Sequence, residues 1–313
     1  MCGDAGRTDV CVFNPSPLFT VTIEAGADGE PEVHFHAGGQ GFWIARMVKR
    51  LGARALLCAP LGGETGAVLQ TLIQQEGVAL KAIPVSGWNG GYVHDRRTGE
   101  RQTLAAMPSA KLSRHELDDL YDAVLMAGLA AGVAVLTGPA EAGVLPADTY
   151  RRLSSDLASN GVAVVADLSG DTLKAVQGGI KFLKVSHLEL IDAEYAADDR
   201  AASLVDGARR LRDASGAENV IVSRAEQPAL AIIEDRLAEI VAPSFEPLDH
   251  RGAGDSMSAG LAVGCARHLD WESTLRLAAA AGALNVTRHG LGTGQWDSIE
   301  AIAQRVDVRS CQD

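Results

Sequence analysis

Segment 249–256 combines residue types that suit the binding of an anion beside a carboxylate. Its small residues, Gly-Ala-Gly at 252–254, come between an apolar stretch and a helical pattern rich in Ala and Leu, so backbone N–H groups can converge at a helix start. The helix dipole favours an anion there, and a phosphate fits. Asp255, in the first turn, is then the carboxylate nearest to a hydroxyl facing the anion, as a general base requires. The alternative is an Asp that caps the helix after a glycine-rich turn, and the segment alone does not separate the two.

Strands and helices alternate over the C-terminal two thirds of the chain. From about residue 120 onward, apolar runs of strand length alternate with helical patterns, which is typical of parallel βαβ units. The predicted strands are Val133–Thr137, Val162–Asp167, Phe182–Val185, Val220–Ser223, Ala229–Ile233 and Ala238–Val241, and the predicted helices cover about 147–159, 200–214, 254–268 and 271–287. We therefore expect an α/β fold with one doubly wound, mostly parallel sheet flanked by helices.

The N-terminal part follows a different pattern. Its main elements are predicted to be strand Val10–Phe13, a helix over 41–51 and a buried strand over 55–59. Shorter alternating segments within about 20–36 and 80–106 could form a small β sheet with no core of its own, and such a sheet usually covers a site or pairs with another copy. No linker or repeat divides the chain, so we expect a single domain over 1–313 with a small β lid.

The composition limits the classes of partner. With 28 Lys and Arg against 40 Asp and Glu, the net charge is −12, which argues against binding to nucleic acid or to an anionic membrane surface and favours small-molecule ligands. No apolar stretch approaches the length of a membrane span, and the first residues do not resemble a signal peptide, so we expect a cytoplasmic protein. The five cysteines are far apart and are expected to be incidental thiols.

Segment 249–255, Asp-His-Arg-Gly-Ala-Gly-Asp, resembles the signature Asp-Thr-x-Gly-Ala-Gly-Asp of the ribokinase-like (PfkB) carbohydrate kinases, with His250 in place of Thr. Segment 37–46 is similar to the family's Gly-Gly-Lys-Gly-x-Asn-x-Ala-Arg. Further matches are Asn14-Pro15, Leu51-Gly52, Leu61 to Gly66, Thr137-Gly138, Asp167 to Gly170, Lys184 to Leu190, and Ser223 to Ala225. They cover nearly the whole chain, which is identified as a member of this family. The most similar branch phosphorylates sugar phosphates and includes 1-phosphofructokinase and tagatose-6-phosphate kinase.

The resemblance implies an ATP-dependent kinase that uses Mg²⁺. The Asp matching Asp255 deprotonates the acceptor hydroxyl, and the backbone amides matching Gly252, Ala253 and Gly254 hold the transferring phosphoryl group. Glu189 matches the acidic residue of the family's Asn-x-x-Glu motif, which organises Mg²⁺ largely through water; the alternative is an exposed charge on a helix. Ser186 replaces the Asn of that motif, so we expect a rearranged or weaker Mg²⁺ site.

Further nucleotide contacts follow from the same resemblance. Ser223 and Ala225 match the Ser-x-Gly turn that passes the nucleotide, although Ala225 restricts this turn if φ must be positive. Asn285 falls where relatives contact adenine, although an Asn in a helix can simply face solvent. Asp249 matches a residue that helps some relatives to bind a monovalent cation such as K⁺, with bracing of the loop as the alternative. Arg251 could receive a phosphate or point outward.

The acceptor side departs from the family pattern. The positions matching the substrate-binding region are Asn14, Leu18, Gly38, Gly39, Gln40, Trp43 and Tyr92. Here Leu18 replaces an Asp, Gln40 and Tyr92 replace Lys residues, and Trp43 replaces an Asn, so groups that would bind a polyol or its phosphate are lost. One hypothesis is an acceptor with a planar or apolar part, such as a nucleoside, that stacks on Trp43 or Tyr92. The alternative is that Trp43 belongs to the core and a sugar is bound by other groups.

Two functions from different classes remain. A kinase acting on an alcohol of a small molecule is favoured by Asp255 and the residues at 252–254. A ligand sensor that kept the fold but lost efficient catalysis would fit the altered acceptor pocket, Ser186 and Ala225. Arginines at 96, 97 and 101 in the lid could receive a phosphate, or could form a solvated turn. Lids of this kind pair between subunits in many relatives, so the resemblance implies a homodimer through the β lid.

Overall fold

The computed structural model describes residues 8–288 and 290–311. The strands in these residues are β1 (Val10–Phe13), β2 (Leu18–Ala25), β3 (Pro31–Gly38), β4 (Ala55–Leu61), β5 (Ala79–Pro84), β6 (Gly91–Asp95), β7 (Gln102–Met107), β8 (Val133–Thr137), β9 (Ala163–Asp167), β10 (Phe182–Ser186), β11 (Asn219–Arg224), β12 (Gln227–Ile233), β13 (Arg236–Val241) and β14 (Asp307–Cys311). The helices are α1 (Gln40–Arg50), α2 (Gly63–Gln75), α3 (Arg114–Ala131), α4 (Asp148–Ser159), α5 (Gly170–Ala175), α6 (His187–Asp192), α7 (Ala201–Ser215), α8 (Ala253–Ala266), α9 (Trp271–Asn285) and α10 (Trp296–Ala303).

The larger sheet has the order β14-β13-β12-β11-β10-β9-β8-β1-β4-β5. The strands from β11 to β5 in this order run parallel to one another, and β12, β13 and β14 continue the sheet as antiparallel strands. The chain passes between parallel strands mainly through helices, as parallel pairing requires. This is an α/β fold with a mostly parallel sheet, which confirms the predicted fold class.

Helices cover both faces of this sheet, and each face has its own apolar core. Strand β1 shows how the two cores arise, because its side chains alternate between them. Val10 and Val12 pack in the layer formed with α1, α2, α8, α9 and α10, whereas Cys11 and Phe13 pack in the layer formed with α3 to α7. Cys11 and Cys58 are buried free thiols, and Cys265 is a half-buried free thiol.

A smaller sheet of order β3-β2-β6-β7 forms the predicted lid. Strands β6 and β7 are joined by a hairpin turn over 96–101. The lid segment predicted over about 80–106 is too long at its start, because residues 79–84 form β5 and pair with β4 in the larger sheet. Alternation cannot distinguish a half-buried edge strand of one sheet from a strand of another.

The sequence also left some elements unpredicted. The predicted elements do not include helices α2, α3, α5, α6 and α10 or strand β14, whereas β1 and β8 have the predicted bounds. Among the described residues, we find no helix with the length and apolar character needed to cross a membrane.

Helix α8, which begins at segment 252–254, is deeply embedded. Its residues from Ser256 to Gly264 are buried. Gly260 and Gly264 allow α9 to approach closely, since a Cβ on Gly260 would lie 2.5 Å from the Ala278 Cα and one on Gly264 would lie 2.6 Å from the Thr274 side chain. The start of α8 is therefore held rigidly relative to the sheet.

Candidate active site

The carboxyl ends of the parallel strands meet at one edge of the larger sheet, where most of the sequence-predicted site residues lie. Asn14 follows β1, Asp167 ends β9, and Ser186 ends β10. Ser186 pairs with Ser223 of β11, and Lys184 pairs with Asp167. A crevice at this edge is where open α/β sheets bind ligands.

Helix α8 begins at this edge with a turn that requires glycine. Gly252 has φ +71°, which places it in the left-handed region, and a Cβ at this position would lie 3.2 Å from the Leu291 Cβ. The amides that open the helix have no carbonyl partner within it, so those of residues 252–254 can receive an anion. Binding of the transferring phosphoryl group by the amides of Gly252, Ala253 and Gly254 stays a prediction.

Asp255 lies in the first turn of α8 and is half-buried. Burial, followed by the negative charge of Asp167, raises the pKa of the Asp255 carboxyl to about 7, although Lys184 and a hydrogen bond from the Gln40 side chain act in the opposite direction. A carboxyl whose pKa lies near neutrality can accept a proton and release it again at physiological pH. This property is what a general base needs.

Beneath the start of α8 lies a buried ion pair that sequence reasoning did not identify. The Lys184 Nζ lies 3.3 and 3.2 Å from the two carboxylate oxygens of Asp167, and the two side chains are almost completely buried. Ser258 Oγ donates to Asp167 at 2.6 Å. A Cβ on Gly254 would collide with the Lys184 ammonium, which therefore lies directly below the predicted anion site. The sequence feature that could have indicated this ion pair is Lys184 itself, a lysine within the mostly apolar strand β10.

Gln40, at the start of α1, connects three parts of the site. Its side chain donates to Asp255, and its Oε1 accepts the N–H of Gly138 at 3.2 Å. The resemblance placed Gln40 against the acceptor, whereas the structure shows it bound to the carboxylate of Asp255. Gln40 therefore also positions that carboxylate.

Ser186 and Glu189 form a capping box at the start of α6. Ser186 Oγ accepts the Glu189 N–H at 3.2 Å, and the Glu189 carboxylate accepts the Ser186 N–H at 2.6 Å. Glu189 is half-buried and acts electrostatically on Lys184 and Asp255, so three carboxylates (Asp167, Glu189 and Asp255) act on one ammonium. This excess of negative charge and the oxygen donors fit a divalent cation bound through water. In the described part of the chain, no three acidic, His or Cys side chains are close enough to hold a metal directly.

Ala225 lies in the tight turn between β11 and β12, close to Ser223. Arg224 pairs with Gln227, so the turn has two central residues, and Ala225 is the first of them with φ +49°. Two-residue hairpin turns with a positive φ at this position favour glycine. The strain expected from the sequence is therefore present.

Replacing Ala225 with Gly should stabilise the protein. Relief of the left-handed strain, about 1–2 kcal/mol, exceeds the entropy cost of glycine, about 0.5–1 kcal/mol. We expect the thermal unfolding midpoint to rise by about 2 °C. Ala229→Gly, the same change in the regular strand β12, should lower the midpoint, and a fall for Ala225→Gly would contradict the role of strain.

Asn285 does not have the predicted contact with adenine. Its side chain is completely buried. Its Nδ2 donates to the Arg251 carbonyl at 2.7 Å, and its Oδ1 accepts the Gly292 N–H at 2.9 Å. Both amide atoms therefore bind backbone, and the side chain exposes no surface to a base, which corrects the expectation from the resemblance.

Asp249 and Arg251 pair with each other at the entrance to α8. The Arg251 Nε donates to Asp249 at 2.9 Å, its Nη2 contacts the second oxygen, and its backbone N–H donates at 3.0 Å. Arg96 of the lid lies 3.6 Å from the same carboxylate and 3.8 Å from Glu24. Arg97, in contrast, is exposed and pairs with Asp95. Of the lid arginines, Arg96 thus pairs with Asp249 directly. Arg101, which contacts His94, acts on Asp249 and Arg251 electrostatically.

On the acceptor side, two polar side chains are buried without a partner. Asn14 Nδ2 and Ser16 Oγ have no hydrogen bond within residues 8–288 and 290–311. A Cβ on Gly39, which has φ +99°, would lie 2.8 Å from the Ser16 carbonyl oxygen, so this segment lies against the start of α1. Buried donors of this kind are normally satisfied, and a bound hydroxyl would satisfy them. Sequence reasoning missed Ser16, for which the motif gave no signal.

Leu18, Gly38 and the two aromatic candidates lie near this segment or on the lid. Leu18 pairs with Gly38 across β2 and β3, and the Trp43 ring lies 3.5 Å from the position of a Cβ on Gly38. Trp43 is half-buried against the apolar core. Tyr92 stacks on His94, with 5.5 Å between ring centroids. Each aromatic ring therefore already packs against the protein, and stacking on an acceptor stays a prediction.

Comparison with known proteins agrees with the geometry. A family model described as pfkB family carbohydrate kinase matches residues 19–298. ATP-dependent 6-phosphofructokinase isozyme 2 of Mycobacterium tuberculosis is 27% identical over 305 residues, which cover 95% of this chain and 89% of that protein. The 1-phosphofructokinase of Bacillus subtilis is 26% identical over 291 residues, covering 91% and 94%. The crystal structure of phosphofructokinase-2 from Escherichia coli in complex with potassium superposes with a TM-score of 0.83 at 23% identity, covering 95% of this chain and 99% of that one.

Proposed function

Because the chain belongs to the pfkB family of carbohydrate kinases, we propose that it transfers the γ-phosphoryl group of ATP to a hydroxyl of a sugar or sugar phosphate. The observation that carries this proposal is Asp255, a half-buried carboxyl with a pKa raised to about 7 beside the open amides of a helix start. A proton acceptor beside an anion site would support phosphoryl transfer to a hydroxyl.

In the proposed reaction, Asp255 accepts the proton of the acceptor hydroxyl as its oxygen forms a bond to the γ-phosphorus. The bond between this phosphorus and the β–γ bridging oxygen breaks, and ADP leaves with the electron pair. The amides of Gly252, Ala253 and Gly254 receive the transferring oxygens, and the Lys184 ammonium adds positive charge from below. Gln40 keeps the Asp255 carboxylate oriented.

Mg²⁺ is the proposed metal, and it would neutralise charge on the ATP phosphates when bound. Glu189 is the residue proposed to hold it through water, because its carboxylate is half-buried within a group of excess negative charge. Ser186 is committed to the cap of α6, so it holds Glu189 in place.

The acceptor is proposed to bind between the start of α1 and the segment after β1. The buried, unpartnered Asn14 Nδ2 and Ser16 Oγ support a ligand that brings hydroxyl groups to this place. Leu18 lies beside Gly38 and supplies no hydrogen bond there, so the acceptor need not carry a hydroxyl at that point.

The test is ADP release with Mg·ATP over a panel of sugars, sugar phosphates, nucleosides and other ring-bearing alcohols. A kinase gives acceptor-dependent release that Asp255→Asn abolishes and Asp171→Asn preserves; Asp171 is an exposed acid in the first turn of α5. Nucleoside turnover would favour stacking on Trp43 or Tyr92, and turnover of simple phosphosugars alone would reject it. If the protein binds ATP but no acceptor in the panel causes ADP release, the ligand-sensor function would be favoured instead.

We propose that two copies pair through the lid. On one face of the smaller sheet, β2 and β3 align Val21 with Phe35 and Ile23 with Val33, and Phe35 and Val33 are 56% and 55% exposed. A groove of about 170 Å³ on this face is lined by apolar residues including Phe19, Val93 and Met107. An exposed apolar sheet face of this kind suits burial against a second copy.

A charge on this face should prevent the pairing. Phe35→Asp is expected to shift the protein from dimer to monomer in sedimentation velocity, because a carboxylate would be buried in an apolar interface. Met126→Asp is the matched control, since Met126 is 65% exposed on α3, in the other part of the molecule. A wild-type protein that sediments as a monomer would reject the lid dimer.

A further inference from the structure

The loop that leads into α8 is held on one side by guanidinium groups. The Asp249 side chain, only 11% exposed, binds Arg251 through its Nε, its Nη2 and its backbone N–H. A second guanidinium, that of Arg96, reaches the same carboxylate at 3.6 Å from the lid. One mostly buried carboxylate therefore pairs with two guanidinium groups, and a third, that of Arg101, acts on it electrostatically.

On its other side, the same loop is held by an amide. Asn285 Nδ2 donates to the Arg251 carbonyl at 2.7 Å, and Asn285 Oδ1 accepts from Gly292 at 2.9 Å. Two oxygen-bearing groups of this loop, the Arg251 carbonyl and the Asp249 carboxylate, thus already accept hydrogen bonds from within the chain. The loop is therefore held from both sides by side chains of this protein.

The surroundings are electropositive. Burial and the charges of Arg101, Arg251 and Arg96 lower the pKa of His94 to about 4. The pKa of Arg101 is lowered by burial and then by Arg251 and Arg96. A monovalent cation beside Asp249 would meet these charges, and the Asp249 carboxylate that would compensate for its lost hydration is already paired with Arg251 and Arg96. The residues present therefore do not fit K⁺, the cation bound by the E. coli phosphofructokinase-2 crystal structure.

We infer that Arg251 and Arg96 take the place of a monovalent cation in this kinase, and that the enzyme does not depend on K⁺. They act as positioning residues: through Asp249 they set the turn at Gly252, and through that turn the amides of the anion site. Because Arg96 belongs to the lid, the same contact ties the lid to the start of α8. This inference rests on the proposed kinase function.

The test compares KCl with tetramethylammonium chloride at equal ionic strength. For the wild-type protein, we expect the affinity for Mg·ATP, measured by calorimetry without acceptor, and the thermal midpoint to be the same in both salts. Arg251→Ala is expected to bind Mg·ATP about tenfold more weakly in tetramethylammonium, equivalent to about 1.4 kcal/mol. K⁺ should then recover several-fold of this loss, because Asp249 has lost its bidentate partner.

Two further variants make the result specific. Arg96→Ala removes only the lid guanidinium and should lower the affinity for Mg·ATP less than Arg251→Ala does. K⁺ should again raise the affinity of this variant. Arg97→Ala, the adjacent arginine that pairs with Asp95, should behave as wild type in both salts. A wild-type affinity that rises severalfold with K⁺ would overturn the inference, and so would an Arg251→Ala protein without loss or without K⁺ response. These readouts need no acceptor, so failure of acceptor turnover would count against the proposed function alone.

Discussion

Asp255→Asn is expected to lower kcat by about 10²- to 10⁴-fold, the usual contribution of a general base. An amide cannot accept the proton of the acceptor hydroxyl, while the helix start and the amides of residues 252–254 stay in place. Affinity for Mg·ATP should therefore change little. Measurement of kcat with the acceptor found in the panel, together with calorimetry for Mg·ATP, separates the two effects.

The pH dependence of the wild-type enzyme should report the same carboxyl. Since Asp255 has a pKa of about 7 and acts as a base when ionised, kcat/KM should rise with pH and level off above about pH 8. Below pH 7, kcat/KM should approach a tenfold fall for each pH unit. The Asn variant should lack this ionisation in its residual activity, and a wild-type profile that is flat from pH 5.5 to 8 would contradict the assignment.

Stability should change in the opposite direction to activity. A carboxyl whose pKa is raised in the folded state holds a proton that the unfolded chain loses, so its contribution to stability falls as pH rises from about 4 to about 7. Asn carries no such charge beside Asp167 and Glu189. We expect Asp255→Asn to unfold at a higher temperature than wild type at pH 8 and at a similar temperature near pH 4. Asp171→Asn, on an exposed helix start, should show neither effect.

Lys184→Met is expected to destabilise the protein by about 3–5 kcal/mol, the typical result of removing one partner of a buried ion pair. Asp167 would be left almost completely buried with Ser258 as its remaining donor in the described contacts. The charge that lowers the pKa of Asp255 would also be lost, so that pKa should rise above 7 and the pH profile of kcat/KM should shift to higher pH. Urea unfolding and the pH profile measure the two effects separately.

Matched variants test whether the pair itself is responsible. Lys181→Met changes an exposed lysine just before β10 and should alter stability by less than about 0.5 kcal/mol. The double variant Lys184→Met with Asp167→Asn removes both charges and should recover part of the lost stability. A single Lys184→Met variant as stable as wild type would show that the ion pair is not a structural element of the site.

Local sequence patterns were enough to predict most of the fold. Apolar runs of strand length separated by helical patterns gave the parallel part of the sheet, and β1 and β8 have the predicted bounds, because burial on both faces leaves continuous apolar runs. The glycine-rich turn and Asp255 could also be recognised in the sequence. The turn could be recognised because Gly252 has a left-handed backbone conformation, which favours glycine. Strand β5 was assigned to the wrong sheet because alternation records how a strand is buried and not which strand it pairs with.

The remaining features of the site depend on contacts between residues far apart in the chain. Whether Asn285 faces solvent, adenine or backbone is decided by where the loop at Gly292 passes. The pairing of Arg96 with Asp249 depends on how the smaller sheet lies relative to α8. The raised pKa of Asp255 depends on burial and on charges contributed by β9, β10 and α6. The sequence by itself thus determined the elements and the residue types at their ends. Only the tertiary structure decided which charges share a buried space, because electrostatic interactions depend on distance and burial in three dimensions.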